Sequence, residues 1–271
     1  MGTMLQARGL PVGAAPETAA LEHPEWLREI HSAYLDAGSQ IVYANTFGAN
    51  REKLVHCGRT VAEVVPAAVA AAREAARGRG LVALDVGPIG QLLEPTGTLE
   101  FEQAVDIFAE VVEAGAAAGA DLIAIETMTD LQEARAALLA AREHSSLPVL
   151  VTMTYEATGR TFLGCSPACA ALTLEGLGAD AIGVNCSLGP REMPPLVEEL
   201  LKWTTLPIVL KPNAGLPRPD GSGYDISPEE FAHSLAALAD LGVQVFGGCC
   251  GTTPEYIALL RRELEGRTVY Q

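Results

Sequence analysis

Seven short apolar runs recur along the chain, and segments with helical character separate them. Each run is rich in Val, Ile and Leu and is too short for an independent helix, which is typical of parallel strands covered on both faces. The alternation predicts parallel strands joined by helical crossovers. The runs are QIVYANT (40–46), GLVALDVG (80–87), DLIAIET (121–127), LPVLVTMTY (147–155), DAIGVNC (180–186), LPIVLKP (206–212) and GVQVFGG (242–248).

Several intervening segments carry apolar residues at helical spacing or the residues that begin a helix. Ser227 and Thr253 each stand before a proline, in the order expected of an N-cap and a first helical residue. Four such segments are clear, at 24–38, 130–144, 227–242 and 252–264.

Seven strands come close to the eight of a (β/α)8 TIM barrel, and we expect one α/β barrel domain over residues 1–271. A doubly wound open sheet is the alternative that the pattern leaves open. The helix at 24–38 should follow a strand, yet only MGTMLQ is available before it. We therefore expect the first barrel strand to be truncated, with the chain starting inside the first strand-to-helix loop.

The charge and the cysteines limit the classes of partner and compartment. A formal net charge of −16 argues against nucleic acid or an anionic membrane as partner, because neither supplies counter-charge to an acidic surface. The amino terminus lacks the regions of a secretory signal, and we expect no membrane span. Six cysteines in such a chain indicate reduced thiols or metal ligands. We expect a cytoplasmic protein.

Three cysteines stand at the ends of predicted strands. Cys186 ends one strand, and the adjacent pair Cys249 and Cys250 follows the last strand between glycines that permit a sharp turn. Strand ends meet at one mouth of a barrel, so the three thiols can converge on one zinc ion and leave a fourth position open, as in catalytic zinc sites. The alternative is that these are small buried core residues.

The remaining cysteines and the histidines fit less well with a metal site. We interpret Cys57, Cys165 and Cys169 as packing residues, because they stand away from the predicted strand ends. The histidines fall on or beside predicted helices, where a solvated surface position is expected. They are His23, His31, His56, His144 and His233.

A metal held by three thiolates is electron-rich, and its natural task is to bind a further thiol and keep that sulfur nucleophilic. This indicates alkyl transfer onto a thiol substrate. Glu126 ends an apolar strand and could anchor the ammonium group of an amino-acid substrate, or be tied to a lysine or a backbone amide. Asn213 could fill the open zinc position through its oxygen, or be an ordinary turn residue. Asn185, at the strand end before Cys186, is a further candidate for substrate binding.

Several motifs along the chain, in order, resemble the zinc-dependent homocysteine S-methyltransferases. These motifs look most like those of the homocysteine-binding module of cobalamin-dependent methionine synthase. The pair GVNC and GGCCGT is the most specific part of the resemblance. The motifs are MGTMLQARGL, NTFGANREKL, DVGPIG, AIETMTD, GVNCSLGP, KPNAGLP and FGGCCGTTPEYI.

The resemblance implies a (β/α)8 barrel that binds zinc through the three strand-end cysteines, which would also be the catalytic centre. Asn213 matches an asparagine that provides an oxygen ligand until homocysteine displaces it. Glu126 matches the glutamate that binds the homocysteine amino group. Phe47 and Gly48 match the backbone near the homocysteine carboxylate. The acidic residue that the family carries in its first strand would precede Met1.

The resemblance also implies a methyl donor that this chain does not carry. Methylcobalamin would be the methyl carrier, supplied by corrinoid- and folate-binding modules on other chains or on another portion of the protein. Two alternatives stay open. One is a homocysteine methyltransferase that uses S-methylmethionine or a betaine-type donor, and the other is a non-catalytic module that binds homocysteine or zinc.

Overall fold

The computed structural model describes residues 1–218, 221 and 223–267 of the chain. Every one of the seven predicted apolar runs contains a strand, so these strand predictions are confirmed. The strands are β1 (Ile41–Tyr43), β2 (Leu81–Val86), β3 (Leu122–Met128), β4 (Val149–Met153), β5 (Ala181–Asn185), β6 (Ile208–Lys211) and β7 (Val245–Phe246).

Helices lie between the strands and before the first of them. Short 3₁₀ turns supplement them at Pro16–Thr18, Val55–Cys57, Pro190–Glu192 and Ala237–Leu241. The α-helices are α1 (Gly2–Gln6), α2 (Ala19–Glu22), α3 (Pro24–Asp36), α4 (Arg51–Leu54), α5 (Val61–Ala76), α6 (Phe101–Ala117), α7 (Leu131–His144), α8 (Pro167–Gly176), α9 (Met193–Leu201), α10 (Pro228–Ala236) and α11 (Pro254–Leu264).

The first of two compact units consists of Met1–Met128 with Gln132–Val149. Its strands β1, β2 and β3 pair in parallel and in sequence order. Helix α5 packs against α3 and α6, and it buries an alanine- and valine-rich face. Gly115 of α6 allows close helix–sheet packing, because a Cβ there would lie 2.5 Å from the Leu84 side chain of β2.

The second unit consists of Thr129–Leu131 with Leu150–Gln271. Its strands β4 to β7 also pair in parallel and in sequence order. Gly183 is required in β5, because a Cβ there would lie 1.8 Å from the carbonyl oxygen of Val209 in β6. Helices α10 and α11 pack together, with Phe231 and Tyr256 in edge-to-face contact.

The α/β class with parallel strands and helical crossovers is confirmed. Within each unit the strands follow sequence order, without the reversal that characterises a doubly wound sheet. This order disfavours the open-sheet alternative. A single barrel domain over the whole chain stays a prediction.

His31 corrects the prediction that the histidines are on the surface. Its side chain is buried on the apolar face of α3, beside Leu27 and Ile30, and is only 2% exposed. Burial lowers the pKa of His31 from 6.5 to about 4, with a smaller contribution from the positive amino terminus. The other histidines are exposed or half-buried. A histidine at i, i+4 from a buried leucine follows the helix period into the core.

Among the described residues, none of the helices alone has the length and hydropathy to cross a membrane. The segments Arg51–Cys57 and Val61–Ala76 pass that test only when taken together, and they are bent by 95°.

Candidate functional site

The last residue of β6 and the segment that follows it hold the main chains of all three strand-end cysteines. The Cys186 amide donates to the carbonyl of Lys211 at 3.1 Å, and the Cys249 amide donates to the carbonyl of Pro212 at 2.8 Å. The Cys250 carbonyl accepts a hydrogen bond from the Ala214 amide at 2.9 Å. Because parallel strands end at one edge of a sheet, the loops after β5 and β7 both reach this segment between them.

The three sulfur atoms, which we call the sulfur triad (Cys186, Cys249 and Cys250), all lie within 4.8 Å of one another. Each cysteine is half-buried and reduced. A hydrogen bond from Cys249 lowers the pKa of Cys186, but contact with Cys250 and burial outweigh it, so the net shift is upward. For Cys250 the hydrogen bond with Cys186 acts downward, while Cys249 and burial raise the pKa to about 11. Three adjacent sulfurs therefore need a cation nearby before all can be thiolates.

Tight turns present the sulfur triad. A Cβ on Gly248 would lie 2.4 Å from the Thr252 hydroxyl, and one on Gly251 would lie 2.2 Å from the Tyr224 ring. Cys186 and Ser187 both have positive φ angles, of 61° and 57°, although neither is glycine. Such backbone costs about 1 kcal/mol or more per residue and concentrates at functional sites.

Asn213 lies beside the sulfur triad. It is 8% exposed, and its Oδ1 accepts the Cys250 amide hydrogen at 3.1 Å. An amide oxygen has two lone pairs, so one remains for a cation while the other holds the cysteine loop. The predicted role of Asn213 as a metal ligand stays a prediction.

Asn185, at the end of β5, lies next to the sulfur triad. The residue is completely buried, its Oδ1 accepts from the Thr152 hydroxyl at 2.7 Å, and its Nδ2 donates to Cys249 Sγ at 3.9 Å. Its carbonyl accepts from the Thr154 hydroxyl at 3.0 Å. The amide is thus enclosed and bonded at both ends, and the predicted role of Asn185 in substrate binding stays a prediction.

The other predicted substrate residues belong to the first unit. Glu126 is half-buried at the end of β3, and the next residue, Thr127, has a φ of +61°. A β-branched residue rarely adopts this conformation, so the backbone is strained within β3, directly after the carboxylate. The strain supports a functional position for Glu126, and its binding role stays a prediction.

Phe47 and Gly48 lie in a buried polar region of the same unit. The Gly48 amide donates to Glu17 Oε1 at 2.7 Å, so the amide predicted to face a substrate carboxylate already holds a carboxylate of the chain. The Lys53 ammonium lies 5.5 Å from the Phe47 ring centre and donates to the Pro88 carbonyl at 2.7 Å. Burial lowers the pKa of Lys53, and the carboxylates of Glu17 and Glu133 partly offset that shift.

Sequence reasoning missed four residues that the structure places at these two regions. Glu17 and Lys53 do not stand at the ends of predicted strands, so neither was a candidate site residue. Thr152 lies on a predicted strand, where a threonine is ordinary. Tyr224 contacts the sulfur triad: burial raises its pKa, and the three cysteines add to that effect.

The remaining cysteines lie elsewhere. Cys57 and Cys165 are half-buried, which fits packing, but Cys169 is exposed on the first turn of α8, so its packing role is wrong. Its amide donates to the side chain of Ser166, the residue that caps α8, at 3.3 Å. None of them joins the sulfur triad in the part of the chain that the structure describes.

Comparisons with known proteins agree with this geometry. The chain is 34% identical to methionine synthase from Mycobacterium tuberculosis and 33% identical to that from Mycobacterium leprae, each over 95% of the chain. It spans only 23% of the length of these relatives. Its structure resembles the metallated form of the homocysteine methyltransferase MmuM from Escherichia coli, with a TM-score of 0.83 and 25% identity, over 97% of this chain and 93% of that one. Residues 1–264 match the homocysteine S-methyltransferase family, and the chain belongs to that family.

Proposed function

We propose that this chain transfers a methyl group to the sulfur of homocysteine and so forms methionine. The observation that carries the proposal is the sulfur triad, whose three sulfur atoms lie within 4.8 Å of one another. Membership of a family named for this reaction supports it, as does the identity to methionine synthases over 95% of the chain.

The donor set of the sulfur triad fits zinc. Three cysteine sulfurs can occupy three vertices of a tetrahedron and leave the fourth to a substrate. Bound zinc would lower the pKa of an incoming thiol, so that the thiol reacts as a thiolate at neutral pH. The work of the chain is to orient the three sulfurs through the segment after β6 and to keep them half-buried, which limits access of water. Asn213 is the candidate for an oxygen ligand before substrate arrives.

We also propose residues that bind the amino-acid end of homocysteine. Glu126 would pair with the ammonium group, and the backbone at Phe47 and Gly48 would receive the carboxylate. This assignment rests on the family resemblance. Glu17 has to release the Gly48 amide before that amide can bind a substrate carboxylate.

The methyl donor would be a methylcorrinoid, recharged from methyltetrahydrofolate by modules outside this segment. Greater identity to methionine synthases than to MmuM supports this donor. Donors are separated by supplying homocysteine with methylcobalamin, S-methylmethionine or betaine in turn. Methionine formed with S-methylmethionine or betaine alone would replace the corrinoid proposal.

Replacement of one triad cysteine tests the function. Cys249→Ala should lose most of the approximately one equivalent of zinc and most methionine formation, because two thiolates hold zinc weakly. Cys169→Ala removes an exposed thiol outside the triad and is the matched control. Full zinc content and unchanged methionine formation in Cys249→Ala would end the proposal.

The chain spans 23% of the length of the methionine synthase from Mycobacterium tuberculosis, and this favours a second candidate function. The second candidate is a module that binds homocysteine and zinc without catalysis of its own. Such a module would bind homocysteine in a zinc-dependent manner and form no methionine with any of the three donors. Calorimetric titration with homocysteine, before and after removal of zinc, separates binding from turnover.

The finer features of the fold and the location are proposals as well. We infer a (β/α)8 barrel, supported by the order of the strands and by the TM-score of 0.83 to MmuM. We infer a cytoplasmic location, supported by six free cysteines.

A further inference from the structure

A line of three polar groups leads from β4 to the sulfur triad. The Thr152 hydroxyl donates to Asn185 Oδ1 at 2.7 Å, and Asn185 Nδ2 donates to Cys249 Sγ at 3.9 Å, a distance suited to sulfur. Thr152 is 2% exposed and Asn185 is fully buried. Bulk water is therefore excluded from both amide ends, and the protein must supply their partners.

The partners at both ends favour the same orientation of the Asn185 amide. If the amide were turned by 180°, its NH2 group would face the Thr152 hydroxyl, which would lose its acceptor for a proton. The amide oxygen would then face Cys249 Sγ, and two electron-rich atoms would oppose each other. In the observed orientation a donor points at each acceptor.

The backbone around Asn185 is also fixed. Thr154 donates to the Asn185 carbonyl at 3.0 Å, and β5 pairs Asn185 with Lys211 of β6. Gly183, two residues earlier, has no room for a Cβ against Val209. Because these contacts restrain the main chain, the direction of the amide decides whether an N–H reaches the Cys249 sulfur.

From this arrangement we infer that Thr152 and Asn185 are positioning residues for the metal centre: Thr152 orients the Asn185 amide, and the amide N–H holds the Cys249 sulfur and takes up part of its negative charge. The inference rests on the proposed function, because it presupposes a cation on the sulfur triad. Partners in this outer position are worth about 10- to 100-fold in metal affinity in other proteins.

Two substitutions at Thr152 separate the effect of the hydroxyl donor from the effect of the side-chain shape. Thr152→Val keeps the shape and loses the donor, whereas Thr152→Ser keeps the donor. Zinc affinity is measured on the full 271-residue chain by competition with a chromophoric chelator. The affinity of Thr152→Val should be at least about 10-fold lower than that of the wild type. Thr152→Ser should stay within about threefold of the wild type. Equal zinc affinity in Thr152→Val and the wild type would overturn the inference.

A control and a spectrum exclude a merely structural effect. Thr161→Val removes another buried hydroxyl of the second unit, one that accepts from the Cys165 amide at 3.1 Å, and it should leave zinc affinity unchanged. With Co²⁺ in place of zinc, the sulfur-to-cobalt charge-transfer bands should shift in Thr152→Val and not in Thr161→Val. Bands at the same position in all three proteins would contradict an N–H bond to the metal-bound sulfur.

Failure of the proposed function has a different signature. A wild-type chain that takes up neither zinc nor cobalt would reject the metal centre itself, and the inference with it. A wild-type chain that binds zinc, together with a Thr152→Val variant that binds it equally well, would reject only the role of Thr152. Asn185→Asp gives a second check, since a carboxylate oxygen facing the Cys249 sulfur should weaken zinc binding further than Thr152→Val does.

Discussion

At the scale of single residues, the clearest feature is strained backbone beside the predicted site residues. Thr127, Cys186 and Ser187 are not glycines, yet all have positive φ angles between 57° and 61°. One directly follows Glu126, and the other two are part of the loop that carries a triad sulfur. The fold stabilises backbone conformations that these side chains disfavour. Such strain concentrates at functional sites, which indicates that the backbone geometry serves the predicted site.

Relief of this strain should raise the free energy of unfolding and lower the affinity for zinc. We expect Ser187→Gly to raise the free energy of unfolding by about 0.5 kcal/mol, because glycine adopts positive φ without steric cost. Zinc affinity should fall, because a glycine loosens the loop that holds Cys186. Arg77→Gly is the matched control, since Arg77 has a φ of 46° on an exposed helix end and should gain stability without a change in zinc affinity. Urea unfolding and chelator competition measure the two effects.

His31 should make stability depend on pH below neutrality. The unfolded chain takes up a proton near pH 6.5, but the folded chain does so only near pH 4, so stability falls as the pH drops from 6.5 to 4. The loss should approach about 3 kcal/mol at the acid end of this window. His31→Leu should remove this part of the acid sensitivity, and His144→Gln, at an exposed site, should not. Urea unfolding at pH 7 and at pH 4.5 measures the loss of stability. An equal loss between these two pH values in His31→Leu and the wild type would contradict the expectation.

At the scale of elements, the caps of two late helices differ although their sequences are alike. Ser227 precedes Pro228 and accepts a hydrogen bond from the Glu230 amide at 3.3 Å, whereas the Thr253 side chain, before Pro254, makes no capping hydrogen bond to α11. The sequence predicts both starts equally well. The difference depends on side-chain rotamers, which local sequence does not determine.

Ser227→Ala should therefore destabilise the protein by about 1 kcal/mol, since it removes a helix-capping acceptor. Thr253→Ala should cost less than about 0.5 kcal/mol, because no capping bond is lost. Chemical denaturation of both variants measures the difference. Equal losses would mean that the two caps contribute alike in solution.

The strands were predictable because a strand covered on both faces must be an unbroken apolar run, and all seven runs contain one. Helix α8 (PACAALTLEG) was harder to predict, because it carries no charge before Glu175 and so shows no polar face. The meeting of the triad cysteines follows from their positions at strand ends. The surroundings of Asn185 and Glu17 could not be predicted, because these contacts join residues far apart in the sequence. The burial of His31 was predictable in principle from its helical spacing to Leu27.

At the scale of the whole molecule, metal should be linked to folding. A cation that binds the folded sulfur triad and not the unfolded chain stabilises the protein in proportion to its affinity. We expect a chelator to lower the melting temperature of the zinc-loaded wild type and to leave that of Cys249→Ala unchanged. Uptake of zinc near pH 7.5 should release protons, since burial and contacts among the thiols raise the pKa of Cys186 and Cys250 and metal binds the thiolate forms. Calorimetry in two buffers of different ionisation enthalpy counts these protons.

The residues Lys211 to Ala214 bond to both cysteine loops at once. A displacement of this one stretch would move all three triad sulfurs out of place together. Damage there should abolish the centre in an all-or-none manner, without a stable form that keeps two correctly placed sulfurs.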